Sequence, residues 1–226
     1  MPIIQQTAGG LSIGYTGSGV YPLTGLGWSM TDKPTFNTLT QNTAAGREVM
    51  NSLYLNPLHE FSLVFNVLHN DQTTAGNPDT DARMLFSFYY AQTGRYTEML
   101  YQPLNSTVTH GPLALPDTNG YVELVYNTGP FFYESVQELN NATPTIYSVS
   151  GDTYTNITDT CTFYTADSVP PYSGIVFTTT TDLGADTLAW SGQWYYRVHF
   201  DKDSYDFEQF MYALYKTGVG LSQVRI

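Results

Sequence analysis

Basic residues are scarce in this chain: eight lysines and arginines stand against 20 aspartates and glutamates in 226 residues. The formal charge of −12 argues against a nucleic-acid-binding surface, which needs clustered Lys and Arg to displace counterions from phosphate. Charge of either sign is low, at 12% against roughly 25% in ordinary domains. Disorder is excluded from the other side, because 42% of the residues are hydrophobic and a disordered chain has too few apolar groups to bury. Cysteine occurs once, as Cys161, which excludes an intramolecular disulfide and a Cys-ligated zinc or iron–sulfur centre. No apolar run approaches the ~20 residues of a membrane helix. The opening residues Met1-Pro2-Ile3-Ile4-Gln5-Gln6 lack the basic and apolar regions of a signal peptide. The expectation is a soluble chain made in a reducing cytoplasm, without a membrane anchor.

Catalytic spacings are missing too. His59, His69, His110 and His199 form no His-x-x-x-His or His-Glu-x-x-His pair. There is no Gly-x-Ser-x-Gly elbow and no phosphate loop, and Gly17-Ser18-Gly19 does not lead from a strand into a helix as a dinucleotide motif must. Asp201 to Glu208 comes nearest to a calcium loop and fails. Tyr205 holds the fifth position, Asp206 the sixth where glycine belongs, and Tyr212 the twelfth where a bidentate glutamate belongs. These acids read instead as caps that complement a helix dipole. Glu60, Glu98, Glu123, Glu134 and Glu138 sit in or beside predicted strands, and a β-rich glycosidase stays open because its carboxylate pair is spatial. Trp28, Trp190 and Trp194 could stack on sugars, with core packing as the default. Cys161 reads as a small buried hydrophobe. No catalytic, cofactor-binding or metal-ligating residue is assigned.

What the chain does have is aromatic side chains, 15% of the total, with tyrosine commonest at 19. Residues 1–27 are glycine-rich and uncharged, an expected arm. Glu60 to Leu68 alternates as a strand with Phe61, Leu63, Phe65 and Val67 on one face. Asp71 to Asp81 is a polar loop turned at Gly76-Asn77-Pro78. A helix follows, capped by Asp81, striped by Met84, Leu85, Phe88 and Tyr89, and stopped by Gly94. Tyr96 to Tyr101 alternates as a strand ended by Pro103. From Asp117 to Gly192 the chain breaks into short runs rich in Thr, Val and aromatics: 121–126, 131–139, 145–149, 161–164 and 175–179. Turn signals at 117–120, Gly129-Pro130, 150–152, Pro170-Pro171 and Gly184 separate them, a β-sandwich signature. Trp194 to Phe200 is a strand. Asp203 or Ser204 caps a second expected helix, striped by Phe207, Phe210, Met211, Leu214 and Tyr215, with Lys216 in its last turn and Gly218 as its stop. Val219 to Ile226 is a last strand, with Leu221 and Val224 apolar and Arg225 exposed. The fold class expected is mainly β with two short α-helices. Residues 28–116 and 193–226 form one discontinuous domain, and 117–192 an inserted β-sandwich module.

Several stretches, taken in order, resemble a known family. They are Trp28 to Thr38, which holds Pro34 and Phe36, then Ala45-Gly46-Arg47-Glu48-Val49, then Pro57 to Leu63 with Phe61. Phe86 to Tyr89 and Thr93-Gly94-Arg95-Tyr96 continue the series, followed by Thr145 to Gly151 and Leu188 to Gly192. The longest is the closing part, with Tyr195, Arg197, Phe200, Asp203, Phe207 and Phe210. Together they resemble the distal tail protein family of long-tailed phages, prophages and gene transfer agents, over about residues 28 to 226. Ala45 departs from a serine usual in that family, Tyr101 to Asn105 replaces a segment that carries two aspartates, and residues 160–173 look inserted.

The resemblance implies a structural protein. Its ring domain would be a tail-tube-like β-barrel or sandwich, assembled as a homo-oligomeric ring, typically a hexamer, at the distal end of the tail tube. The ring joins the tube protein to the hub and host-recognition proteins, with the tape-measure protein and fibres as further partners. DNA passes through the lumen without specific binding. The location implied is the virion tail tip, after assembly in the host cytoplasm. The matched residues become assembly candidates: Trp28, Pro34, Phe36, Gly46, Arg47, Glu48, Pro57, Phe61, Gly94, Arg95, Tyr195, Arg197, Phe200, Asp203, Phe207 and Phe210. Two further readings remain, another tail component (tube or hub) and a carbohydrate-binding β-sandwich adhesion module using the aromatics of 121–192.

Overall fold

The computed structural model describes residues 19–21, 26–42, 44, 46–53, 56–70, 81–103, 106–139, 144–165, 168, 172 and 174–224. Most of the expected arm, the 71–80 loop, Pro170-Pro171 and Arg225 lie outside the described residues. In chain order the elements begin with β1 (Leu26–Thr35), β2 (Thr38–Asn42), β3 (Glu48–Ser52), β4 (Leu58–His69) and helix α1 (Asp81–Ala91). Next come β5 (Met99–Tyr101), β6 (Thr107–Leu113), β7 (Val122–Glu123), β8 (Val125–Gly129), β9 (Phe132–Ser135) and β10 (Glu138–Leu139). They are followed by β11 (Thr145–Ser150), β12 (Thr153–Asn156), β13 (Cys161–Tyr164), β14 (Val176–Thr179), β15 (Thr187–Phe200), β16 (Glu208–Met211) and β17 (Leu214–Gln223). Strands hold 57% of the described residues and helical turns 10%, so the protein is mainly β, with several sheets and one α-helix among the described residues.

The chain divides into two compact units. Of the described residues, the first comprises 21–99 and 198–224, the second 19–20 and 100–197. β15 contributes to both, with Val198–Phe200 in the first.

In the first unit β4 is central, antiparallel to β1 on one side and to β17 on the other. The tail of β15 flanks β17 through Val198↔Gln223 and Phe200↔Leu221. The inward face carries Phe61, Leu63 and Phe65 from β4 and Val219 and Leu221 from β17, all buried with Val198 and Phe200. The expected alternation of β4 holds up to Phe65 and then slips. Leu68 is fully buried in place of Val67, which is only half-buried. The register shows the cause: β17 steps from Thr217 to Tyr215 while β4 steps from Phe65 to Leu68, and β1 steps from Gly27 to Leu26 against Phe65 to Val67. Both neighbours thus see one extra residue in β4, a bulge that moves the following side chains to the other face.

Helix α1 forms where its stripe places it, with Ala82 and Leu85 buried and Met84, Phe88 and Tyr89 half-buried. It ends before Gly94, because Thr93 and Gly94 both take left-handed φ, of 54° and 66°. Gly94 to Tyr96 is a single 3-10 turn, so the strand expected to start at Tyr96 starts at Met99.

The second expected helix is not one. Residues 208–223 form an antiparallel hairpin, β16 on β17, with Glu208 opposite Lys216. Those two make a 3.0 Å ion pair, so Lys216 closes a cross-strand pair rather than a helix end. The stripe at i, i+3, i+4, i+7 has helical spacing, yet Phe, Tyr, Val and Thr there favour a pleated surface, and β4 offers an edge that Leu214 to Ser222 fills. The last strand accordingly begins at Leu214, and Val224 falls just beyond it. With no helix after Asp203, the acids of 201–208 cannot be its caps.

The second unit is built from short antiparallel pairings. β15 pairs with β11, with β6 and, at Trp194 and Tyr195, with β10. β11 and β12 form a hairpin turned at Gly151, whose φ is 60°. β13, β14 and β7 make a three-stranded sheet, and β8 and β9 a second hairpin. Trp190, Ile146, Leu124, Val136, Ile175 and Phe177 are fully buried, and Trp190 donates its indole N–H to the Val125 carbonyl at 2.7 Å. The expected turn at 117–120 is organised by Asp117. Its Oδ1 accepts the N–H groups of Asn119 and Tyr121, each at 2.8 Å, and its Oδ2 accepts the Tyr172 hydroxyl at 2.5 Å. That hydroxyl bond, with the two backbone donors, holds the Asp117 carboxyl below the usual carboxylate range. The same bond pushes Tyr172 up to about 12.

Two measurements check these assignments. Ala213, at the β16–β17 turn, has φ 58°, where glycine carries no Cβ penalty. Ala213→Gly should therefore stabilise by about 0.5–1 kcal/mol in urea denaturation, whereas a helix there would lose about 1 kcal/mol. Asp117's contribution, from a depressed folded pKa, is present above its unfolded value and is lost as pH falls through the folded one. In Tyr172→Phe, the carboxyl carbon of Asp117 should titrate at higher pH by NMR. An unchanged midpoint would refute the hydroxyl contact.

Candidate assembly surface

The hairpin β2–β3 in the first unit differs from everything around it. Its register runs from Thr38↔Ser52 to Asn42↔Glu48, and Leu53 N–H donates to the Asn37 carbonyl at 2.8 Å to close its base. Gly46, with φ 77° and open space where a Cβ would stand, lets the chain return through Arg47 into Glu48. Every residue of both strands is exposed. Leu39 and Val49 share one face and Met50 the other, flanked by exposed Phe36 and Leu53. A two-stranded ribbon alone is marginally stable in water, and this one holds apolar side chains out on both faces.

The solvent face of the β1–β4–β17 ladder is short-sided by contrast. Its rows are Lys33, Glu60 and Ser222, then Thr31, Ser62 and Gly220, then Ser29, Val64 and Gly218. A depression of about 460 Å³ lies over the first two rows and Gly218, walled by Asp201, Lys202 and Tyr205. Tyr205 faces two acceptors, the Asp201 carboxylate and the Gly220 carbonyl, the latter at 2.6 Å. Burial first, then Asp201, pushes the Tyr205 hydroxyl well above its ordinary range, so it remains a donor. A Cβ at Gly220 would collide with the Asp201 carboxylate and displace it from its present place.

The structure brings several candidate residues together. Asp203 Oδ1 accepts the Arg95 backbone N–H at 3.0 Å, and a Cβ on Gly94 would lie 3.1 Å from that same oxygen. Phe200, fully buried, has Tyr89 at 5.0 Å and Tyr205 at 5.7 Å, ring centre to ring centre. Phe207 lies 4.0 Å from Phe86 of α1. These four positions, with Gly94, fasten the end of α1 to the 200–207 segment. Pro34 stands opposite His59 in the ladder. His59 is buried, its Nδ1 2.7 Å from Asp32 and its backbone N–H 2.6 Å from Gln223 Oε1, and its ring stacks on Phe61. Pro57 is buried beside them. Trp28 lies in β1 at its bulge opposite β4, and its side chain falls outside the described atoms. Phe36, Gly46, Arg47 and Glu48 belong to the exposed hairpin, and Phe210 is exposed on β16.

Tyr195 and Arg197 lie in the second unit. Arg197 pairs with buried Glu138, and Tyr195 is buried, which raises its hydroxyl pKa. Glu134 is also buried and accepts from Tyr196 at 3.4 Å, with the Tyr126 hydroxyl 2.5 Å from that of Tyr196. Trp194 stacks on Tyr126 at 3.8 Å, and both it and Trp190 are core residues. Glu134 and Glu138, two of the acids considered for hydrolysis, are thus fixed by buried hydrogen bonds, a geometry that holds a core together. Cys161 is half-buried, and desolvation raises its thiol pKa, the opposite of an activated nucleophile. Among the described residues no group of three His, Cys, Asp or Glu could hold a metal.

The exposed apolar residues Leu39, Val49 and Met50 had no signal in the sequence beyond a weak alternation, because exposure depends on what packs against the ribbon. Asp203→Ala should cost about 1 kcal/mol of stability, and Asp203→Asn, which keeps an acceptor for Arg95, appreciably less. Urea denaturation reads the difference, and equal losses would remove the Arg95 contact from the account. The sequence matches no model of a known protein family and no curated protein.

Proposed function

We propose that this protein is a virion structural subunit, the ring at the distal end of a phage tail that joins the tube to the hub and host-recognition proteins. Its role in this reading is mechanical, not catalytic. The observation that carries the proposal is the exposed hairpin of residues 38–52, whose turn and returning strand hold the Gly46-Arg47-Glu48 stretch of the family resemblance. No described part of the chain covers Leu39, Val49 and Met50, and burying such side chains against another protein surface contributes roughly 1.5–3 kcal/mol each. A hairpin inserted into a different surface of the next copy makes a heterologous contact, which closes into a ring when the rotation permits. The composition supports the same reading, since interfaces are rich in aromatics and poor in lysine. An acidic subunit would also let DNA pass without gripping it, because like charge repels phosphate.

Native mass spectrometry and negative-stain images should find a closed ring, six copies by the resemblance. The double substitution Leu39→Asp with Met50→Asp should leave a folded monomer with unchanged circular dichroism. A wild-type chain that stays monomeric at high concentration, or a variant that still forms rings, would defeat the proposal.

A further inference from the structure

The second unit carries a ring cluster that its core does not need. The β6–β15 ladder breaks between Gly111, opposite Trp190, and Val108, opposite Gly192. Thr109 and His110 occupy the bulge, and His110 has φ 51°, a left-handed conformation that histidine takes more readily than most side chains. Its backbone N–H is fixed by the Ser191 hydroxyl at 2.9 Å. Bulges re-aim side chains. Here the result is that the His110 ring lies over Tyr154, 4.2 Å between centres and 29° between planes. Tyr147 meets His110 edge-on at 4.9 Å and Tyr154 at 6.0 Å.

Three strands therefore deliver one platform. Tyr147 pairs with Asn156 and Tyr154 with Val149, so all four share a sheet face, opposite the buried Ile146 and Ser148. His110 and Tyr154 are exposed, the latter by 46%. Beside them the register places Thr145, Asn156 and Ser191, all neutral. Asn156 Oδ1 already accepts the N–H and hydroxyl of Thr158, at 2.9 and 2.7 Å, which leaves its NH₂ as the group to offer.

We propose that this platform binds a neutral pyranose unit of a carbohydrate. A pyranose has an apolar C–H face that packs on the electron-rich face of an aromatic ring, and hydroxyls that suit amide and hydroxyl partners. An anionic glycan meets no Lys or Arg from residues 117–192 and a chain that carries −12, with the His110 imidazole as the basic group the platform itself supplies. A quaternary ammonium would need rings spaced around it as a cage, whereas these touch one another. A proline-rich peptide needs parallel aromatic ridges, and these rings stand at 69° and 89° to each other. The proposal is independent of ring assembly.

Saturation-transfer NMR on the full chain tests it, with methyl glucoside, methyl galactoside and N-acetylglucosamine as probes and glucuronate, choline and a polyproline peptide as controls. A single platform should bind a neutral sugar in the millimolar range, with transfer strongest to the C–H protons of one sugar face. Tyr154→Ala should weaken binding at least tenfold with circular dichroism unchanged, and Tyr154→Phe should retain it. His110→Ala, which relieves no core contact, should weaken it likewise. No transfer to any neutral sugar, binding unchanged in both alanine variants, or preference for a control ligand would overturn the proposal.

Discussion

The antiparallel pairing of β17 with β4 is the contact on which the first unit depends. It places Val219 and Leu221 beside Phe61 and Leu63 in the core and lines up the tail of β15, with Phe200, on the far side of β17. On the opposite face it sets Gly218 and Gly220 in a row, and the missing side chain at 220 lets Asp201 and Tyr205 close over the strand. Asp203, two residues on from Asp201, then reaches the turn after α1. Helix end, 200–207 segment and central ladder are therefore one connected arrangement. A chain that folded 203–216 as a helix would have no strand to fill that edge of β4.

The sequence carries some of this plainly and some not at all. Helix α1 is legible because its signals are local: Asp81, an apolar stripe, and Gly94 as a stop. The strands β11, β13 and β14 are legible because turn residues bracket them, as Gly151 does. By contrast β12 has no expected counterpart, and the runs 121–126 and 131–139 each divide, into β7 with β8 and β9 with β10. The β4 bulge is not, since the slip from Val67 to Leu68 is set by the registers of two neighbours. The β16–β17 hairpin hides for a related reason. Phe207, Phe210, Met211, Leu214 and Tyr215 fit a helical spacing, and the turn between the strands uses Ala213 in a left-handed conformation rather than a glycine or asparagine that would announce it. Of the candidate residues, Gly94, Arg95, Phe200 and Asp203 are far apart in the chain and meet only in the fold. His110 is an ordinary histidine in the sequence; only its φ and its two tyrosine neighbours single it out.

The aromatic excess divides between two uses. Tyr21, Tyr101, Tyr126, Tyr195 and Tyr196 are buried, and in the second unit the hydroxyls of Tyr126 and Tyr196 join Glu134 in a buried network that exposed tyrosines could not form. Tyr90, Tyr96 and Tyr212 remain largely open to solvent, and Tyr154 partly so. A chain with few charges thus builds its cores with rings and still presents rings outside. The hairpin of 38–52 goes further, holding aliphatic side chains away from the cores that the described residues build. Such a ribbon is formed here without the burial that usually maintains one, which is why assembly is central to the account.

Hydrogen exchange of the backbone amides of residues 38–52, followed as a function of protein concentration, tests that claim most directly. Fast exchange is expected in dilute protein and strong protection once subunits associate, while the amides of β4 and β17 stay protected throughout. Equal exchange of the hairpin at all concentrations, in a preparation that does associate, would contradict it.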